Sequence, residues 1–135
     1  MPNYKGLDRM YIDIAKRISL ESKANRRKVA AVLVKDGNII SFGWNGTPPG
    51  FDNKCEGSDG ETLPIVIHAE MNAYAKAARL GISTFGSVLY LTLSPCYNCS
   101  KMIIQAKTKR VVYYEEWKND SVDFLARGGV VCEKI

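Results

Sequence analysis

Val88-Leu89-Tyr90-Leu91-Thr92-Leu93-Ser94-Pro95-Cys96-Tyr97-Asn98-Cys99 reads as a buried strand that runs straight into a helix. The strand portion is almost wholly apolar, as expected when both of its faces are covered. Pro95 suits the first turn of a helix, where its missing N–H costs nothing, so a helix is expected over residues 96–106. The alternation continues outward in both directions. Downstream, Arg110-Val111-Val112-Tyr113-Tyr114 reads as a strand, 121–127 as a short helix closed by Gly128-Gly129, and Val130-Val131-Cys132 as a last strand. Upstream, a helix containing His68, Glu70, Tyr74, Ala77, Ala78 and Leu80 stops at Gly81. Before it, Val29-Ala30-Ala31-Val32-Leu33-Val34 and Asn38-Ile39-Ile40-Ser41-Phe42-Gly43 flank the hairpin signal Asp36-Gly37. Leu7, Met10, Tyr11, Ile14 and Ile18 recur at helical spacing, which predicts an amphipathic helix over residues 7–22. The order α-β-β-α-β-α-β-α-β predicts an α/β fold of three layers, a mixed five-stranded sheet with helices on both faces.

The chain of 135 residues is long enough for one domain with a full core, expected over 1–135. Its apolar share of 46% and charged share of 24% are those of ordinary globular proteins, so disorder is not expected. No apolar run approaches the roughly 18 residues that span a bilayer. Met1-Pro2-Asn3-Tyr4-Lys5-Gly6 has no signal-peptide character, so a cytoplasmic location and no membrane partner are expected. The net charge of +5 suits an anionic ligand. The dense basic cluster, Lys23-Ala24-Asn25-Arg26-Arg27-Lys28, has no interleaved aromatics, which argues against a nucleic-acid partner. Residues 44–63 are rich in Gly, Pro, Asn, Asp and Glu and read as a long loop, the kind of segment that commonly carries function.

His68 is the only histidine, and it stands two residues before Glu70. With Cys96 and Cys99 it makes a set of one imidazole and two thiolates, which fits a catalytic zinc site that keeps one position open for water. A structural site would need a fourth ligand, and only Cys55, Cys132 or a carboxylate could serve. Both ligand-bearing segments lie at expected helix N-termini, where the dipole favours the thiolate form. Glu70 cannot point the same way as His68 on a regular helix, but it can reach over the open position and shuttle protons. Cys55 and Cys132 are read as free thiols, Cys132 packed in the terminal strand. The pattern H-x-E followed by P-C-x-x-C is that of zinc-dependent nucleobase deaminases.

Ile67-His68-Ala69-Glu70-Met71-Asn72-Ala73, Leu91 to Lys101, and the stretch Lys28 to Gly50 with its loop Asn45-Gly46-Thr47-Pro48-Pro49-Gly50 together resemble the deoxycytidylate deaminases of the cytidine deaminase superfamily. The resemblance implies a cytidine-deaminase-like fold and hydrolysis of dCMP to dUMP with release of ammonia, feeding thymidylate synthesis. It implies that His68, Cys96 and Cys99 hold zinc and that Glu70 is the proton shuttle. It further implies that Asn45 bonds the deoxyribose, that the backbone around Ala69 and Ser94 reads the pyrimidine edge, and that Arg26 and Lys28 face the 5′-phosphate. Where family members often carry a tyrosine after the fourth strand, this chain has Trp117, so Trp117 is expected at the substrate rim or in packing. The segment before His68 lacks the histidines that give some viral members a second zinc, so one zinc per chain is expected. A homo-oligomer with dCTP and dTTP as effectors is implied too. The alternatives are dCTP, free cytidine or deoxycytidine, guanine or tRNA adenosine as substrate, and a non-catalytic zinc-stabilised binding module.

Overall fold

The computed structural model describes residues 4–135; Met1, Pro2 and Asn3, part of the N-terminal stretch considered for targeting, lie outside the described residues. After a 3-10 turn at Tyr4–Leu7, the order is α1 (Asp8–Ser19), β1 (Ala30–Lys35), β2 (Asn38–Trp44), α2 (Ala69–Arg79), β3 (Val88–Leu93), α3 (Tyr97–Gln105), β4 (Arg110–Glu115), α4 (Ser121–Arg127) and β5 (Val131–Lys134). The strands form one sheet in the order β2-β1-β3-β4-β5. β1 is antiparallel to both β2 and β3, whereas β3, β4 and β5 run parallel. Every strand except β1 therefore points the same way, and the carboxyl ends of β2, β3 and β4 share one edge of the sheet. Asp36 and Gly37 both take positive φ, 51° and 77°, as the tight β1–β2 turn requires.

Strand parity divides the core in two. Ala31, Leu33, Leu89, Leu91, Val111 and Tyr113 face α2, α3 and α4, which contribute Ala69, Ala73, Ile103 and Leu125. Ala30, Val32, Val34, Tyr90 and Val112 face Tyr11, Ile12 and Ala15 of α1. The sheet is thus covered on both faces, with α1 alone on one of them. No helix among the described residues is long and apolar enough to cross a membrane.

The face of α1 is in part the one its spacing predicts: Tyr11 is buried and Ile14 and Ile18 pack partly buried beside it, but the two N-terminal positions depart. Leu7 and Met10 are exposed, and the buried row is Asp8, Tyr11, Ile12, Ala15 and Ser19. The reason is ionic. Asp8 is buried and takes two bonds from Arg110, at 3.0 and 2.5 Å, and a third from the Tyr90 hydroxyl at 2.7 Å. A buried carboxylate is tolerated only with such partners, and meeting them turns the helix about its axis. Arg110 also donates to Glu133 at 2.8 Å, so the cluster ties α1, β3, β4 and β5 together. The helix also stops at Ser19 instead of reaching residue 22. Ser22 is drawn into the following turn, where its hydroxyl donates to the Asn45 carbonyl at 2.8 Å.

One close approach sets the position of α2. A β-carbon added to Gly43 would lie 2.7 Å from both the Ala69 carbonyl oxygen and the Ala73 nitrogen. β2 and the first turn of α2 therefore touch backbone to backbone, and only glycine fits between them.

Candidate active site

His68 is not inside α2, as its sequence context predicts, but is its N-cap, with extended backbone at φ −66° and ψ 153°. It is pinned from both sides. Ile67 exchanges backbone bonds of 2.8 and 3.1 Å with Gly46, and the Asn72 side chain donates to the Trp44 carbonyl at 2.7 Å. Cys96 likewise caps α3, with its sulfur accepting from the Cys99 N–H at 3.4 Å. The Ser100 hydroxyl anchors the Cys96 carbonyl at 2.8 Å. Because β2 and β3 are parallel, both caps open at the same sheet edge, and residues 28 apart in sequence meet.

The meeting is close. His68 Nδ1 lies 3.4 Å from Cys96 Sγ and 3.5 Å from Cys99 Sγ. All three donor atoms fall within 4.8 Å of one another. Tetrahedral Zn–N and Zn–S bonds place nitrogen and sulfur about 3.5 Å apart, so the set fits zinc, with Nδ1 as the ligand atom. Cys96 is held down to about 4, first by its hydrogen bond with Cys99, aided by His68 and the Cys99 N–H. Cys99 is pushed up by the proton it shares with Cys96 and by burial. A bound dication removes that second proton as well. The carboxyl of Glu70 is buried, and that burial raises its pKa.

A cavity of about 430 Å³ opens over this cluster, within the range of small-ligand sites. His68, Glu70 and Cys96 line it together with Asn45, Ala69, Ser94, Trp117, Arg26 and Arg27. Lys28, paired with Arg26 in the sequence reading, is not part of the lining, and its place is taken by Arg27. Ser94 is buried, with its N–H on the Glu115 carbonyl at 2.8 Å and its oxygen accepting from the Trp117 N–H at 2.7 Å. Ser94 thereby fixes where the chain turns past the cavity, and Trp117 stands half-exposed at its rim.

Asn45 lines the cavity but spends much of its amide on the chain itself. Its Oδ1 accepts from the Val29 N–H at 2.9 Å and its Nδ2 donates to the Arg27 carbonyl at 2.7 Å. An amide nitrogen carries two hydrogens, so one remains for a ligand while the other staples the basic stretch. Asn45→Ala is expected to lower unfolding stability by about 1–2 kcal/mol, seen as a lower melting temperature, while metal affinity at the His68 cluster stays unchanged. An unaltered melting curve would show that the staple contributes nothing.

Residues the sequence reading did not single out include Thr62 and Val66 in the lining, and Glu61 and Glu115 beside it. Arg27 lay within the recognised basic cluster. The two glutamates carry no local signal, because they meet their arginines only through the fold. Cys55 is buried in the loop and Cys132 half-buried in β5; both are free thiols, as expected.

The profile of the cytidine and deoxycytidylate deaminase zinc-binding region matches residues 5–115. The deoxycytidylate deaminase of Enterobacteria phage T4 is 34% identical over 163 residues, covering 88% of this chain and 84% of that protein. That of Mycobacterium phage D29 is 33% identical over 123 residues, covering 81% and 94%. The crystal structure of dCMP deaminase from cyanophage S-TIM5 in complex with dCMP and dUMP superposes with a TM-score of 0.94 at 45% identity, over 100% of this chain and 99% of that one.

Proposed function

This chain belongs to the cytidine and deoxycytidylate deaminase family, and we propose that it is a dCMP deaminase, hydrolysing dCMP to dUMP and ammonia. One observation carries the reading. A single cavity holds His68, Cys96 and Glu70 together with Arg26 and Arg27, so one ligand can present an amino-pyrimidine to the former and a phosphate to the latter. The relatives named deoxycytidylate deaminase and the solved structure holding dCMP and dUMP support the same substrate.

His68 Nδ1, Cys96 Sγ and Cys99 Sγ would hold one zinc ion per chain. Such an ion supplies Lewis-acid activation of a water near neutral pH. Glu70 moves the protons: it takes one from the attacking water and delivers it to the ring nitrogen beside C4, then takes the second from the hydroxyl added at C4 and gives it to the departing amine. The C4–N bond breaks, ammonia leaves, and a C4 carbonyl remains. The raised pKa of the buried carboxyl suits this traffic, because it gives and takes a proton closer to neutrality. The backbone at Ala69 and Ser94 reads the pyrimidine edge, and the second amide hydrogen of Asn45 is offered to the deoxyribose. Arg26 and Arg27 take the 5′-phosphate as charge-assisted forks. Trp117 closes the rim, and Lys28, outside the lining, adds only field.

An ammonia-release assay on dCMP, deoxycytidine, cytidine and a tRNA anticodon stem-loop tests the reading. dCMP is expected to have the highest kcat/KM, and faster turnover of deoxycytidine would remove the phosphate from the argument. The proposal extends to one domain over residues 1–135, a homo-oligomer, activation by dCTP and inhibition by dTTP. Repeating the assay with each triphosphate, on protein of measured solution mass, checks assembly and regulation. A cytoplasmic setting fits thiols that must stay reduced to bind metal.

A further inference from the structure

Arg26 and Arg27 line the cavity, but neither is a bare cation. Arg26 Nη1 bonds Glu61 Oε2 at 2.6 Å, and Arg27 Nη2 bonds Glu115 Oε2 at 2.5 Å. A third carboxylate, on Glu56, accepts from the backbone N–H groups of Asn25 and Arg26 at 3.2 Å. The glutamates are placed by the site's own framework. Glu61 precedes the lining residue Thr62, and the Glu115 carbonyl takes the Ser94 N–H at 2.8 Å. The basic stretch thus arrives at the cavity mouth with its charge largely balanced.

We propose that Glu61 and Glu115 are specificity-determining residues that restrict the substrate to a single phosphate. The inference rests on the dCMP reading above and deepens it. A guanidinium has five N–H donors, and each glutamate bond engages one nitrogen, so each arginine keeps donors for one phosphoryl group. Any oxygen bonded to such a fork also lies within a few ångströms of the carboxylate on the same fork. For the first phosphate, direct charge-assisted hydrogen bonds outweigh that repulsion. A second and third phosphate bring more negative charge to the same carboxylates and gain no unpaired cation from the lining. At these separations, with the partial screening of a cavity mouth, each like-charge encounter changes binding by several-fold.

The test uses the full zinc-loaded protein and its E61Q, E115Q and doubly substituted variants. Each is assayed by chromatography of the deaminated product from deoxycytidine, dCMP, dCDP and dCTP. The carboxylates are more than half exposed, so Gln, which keeps shape and loses charge, is expected to leave folding intact by circular dichroism. In the double variant the ratio of kcat/KM for dCTP to that for dCMP is expected to rise about tenfold or more, with each single variant intermediate. The rise should sit in KM, fade in high salt, and leave deoxycytidine turnover unchanged. A dCTP-to-dCMP ratio unmoved by the double substitution would overturn the proposal. So would an equal change for the uncharged nucleoside, which would make the glutamates structural. If the unsubstituted protein instead prefers deoxycytidine to dCMP, it is the dCMP reading that fails, and the two failures are distinguishable.

Discussion

Glu70→Gln is expected to leave a folded, zinc-loaded protein that releases ammonia from dCMP about 10²–10⁴-fold more slowly, and more slowly still if every proton passes through this one group. The side chain is buried and lines the cavity, and it is not part of the His68, Cys96 and Cys99 cluster. Gln fills nearly the same volume and keeps polar contacts at the same place. What it loses is the ability to accept a proton from water and hand it on. kcat should therefore fall while KM changes little, because Gln leaves the proposed phosphate- and sugar-binding residues, Arg26, Arg27 and Asn45, untouched. Metal analysis should still find one zinc per chain. Near-normal turnover would remove Glu70 from the chemistry. Loss of zinc would make it a structural element of the cluster.

The second large effect is structural and lies outside the cavity. Gly43→Ala should destabilise the fold by about 3 kcal/mol or more, because the new methyl would sit 2.7 Å from two backbone atoms of α2. Backbone cannot swing aside as the tip of a side chain can. Relief must come from moving β2 and α2 apart, and the first turn of α2 is the part that moves. That turn begins directly after His68, so Nδ1 is displaced from the two sulfurs it meets at 3.4 and 3.5 Å. Zinc affinity should fall together with the melting temperature, in contrast to Asn45→Ala, which should lower stability alone. A Gly43→Ala protein with unaltered melting and metal content would show that the β2–α2 contact gives way easily.

How much was legible in the sequence depends on how far each residue's partner lies. β3 and α4 occupy the ranges that their apolar run and glycine stop predict, since both signals are local. The mixed sheet followed from the hairpin and the alternation after it. The three metal-cluster residues were readable because one histidine and a close thiol pair leave few combinations. The face of α1 was legible at Tyr11, Ile14 and Ile18 but not at its first turn, because Asp8 is buried by an arginine 102 residues away. The mouth of the cavity was half legible. Its basic cluster stood out, yet which bases point inward turned on a single step of the chain, favouring Arg27 over Lys28. Their neutralising partners, 35 and 88 residues distant, left no trace in any short window.

The Asp8–Arg110 clasp also bears on how the molecule is made. A ribosome delivers Asp8 of α1 102 residues ahead of Arg110 of β4. At about 5–20 residues per second, 102 residues take roughly 5–20 s. At first β1 can offer Tyr11, Ile12 and Ala15 only Ala30, Val32 and Val34; Tyr90 follows with β3 and Val112 with β4. Over that interval the nascent chain carries an amphipathic helix with an unfinished seat, a natural client for chaperones that guard apolar surface. α1 docks fully only when β3 and β4, made after it, have joined β1.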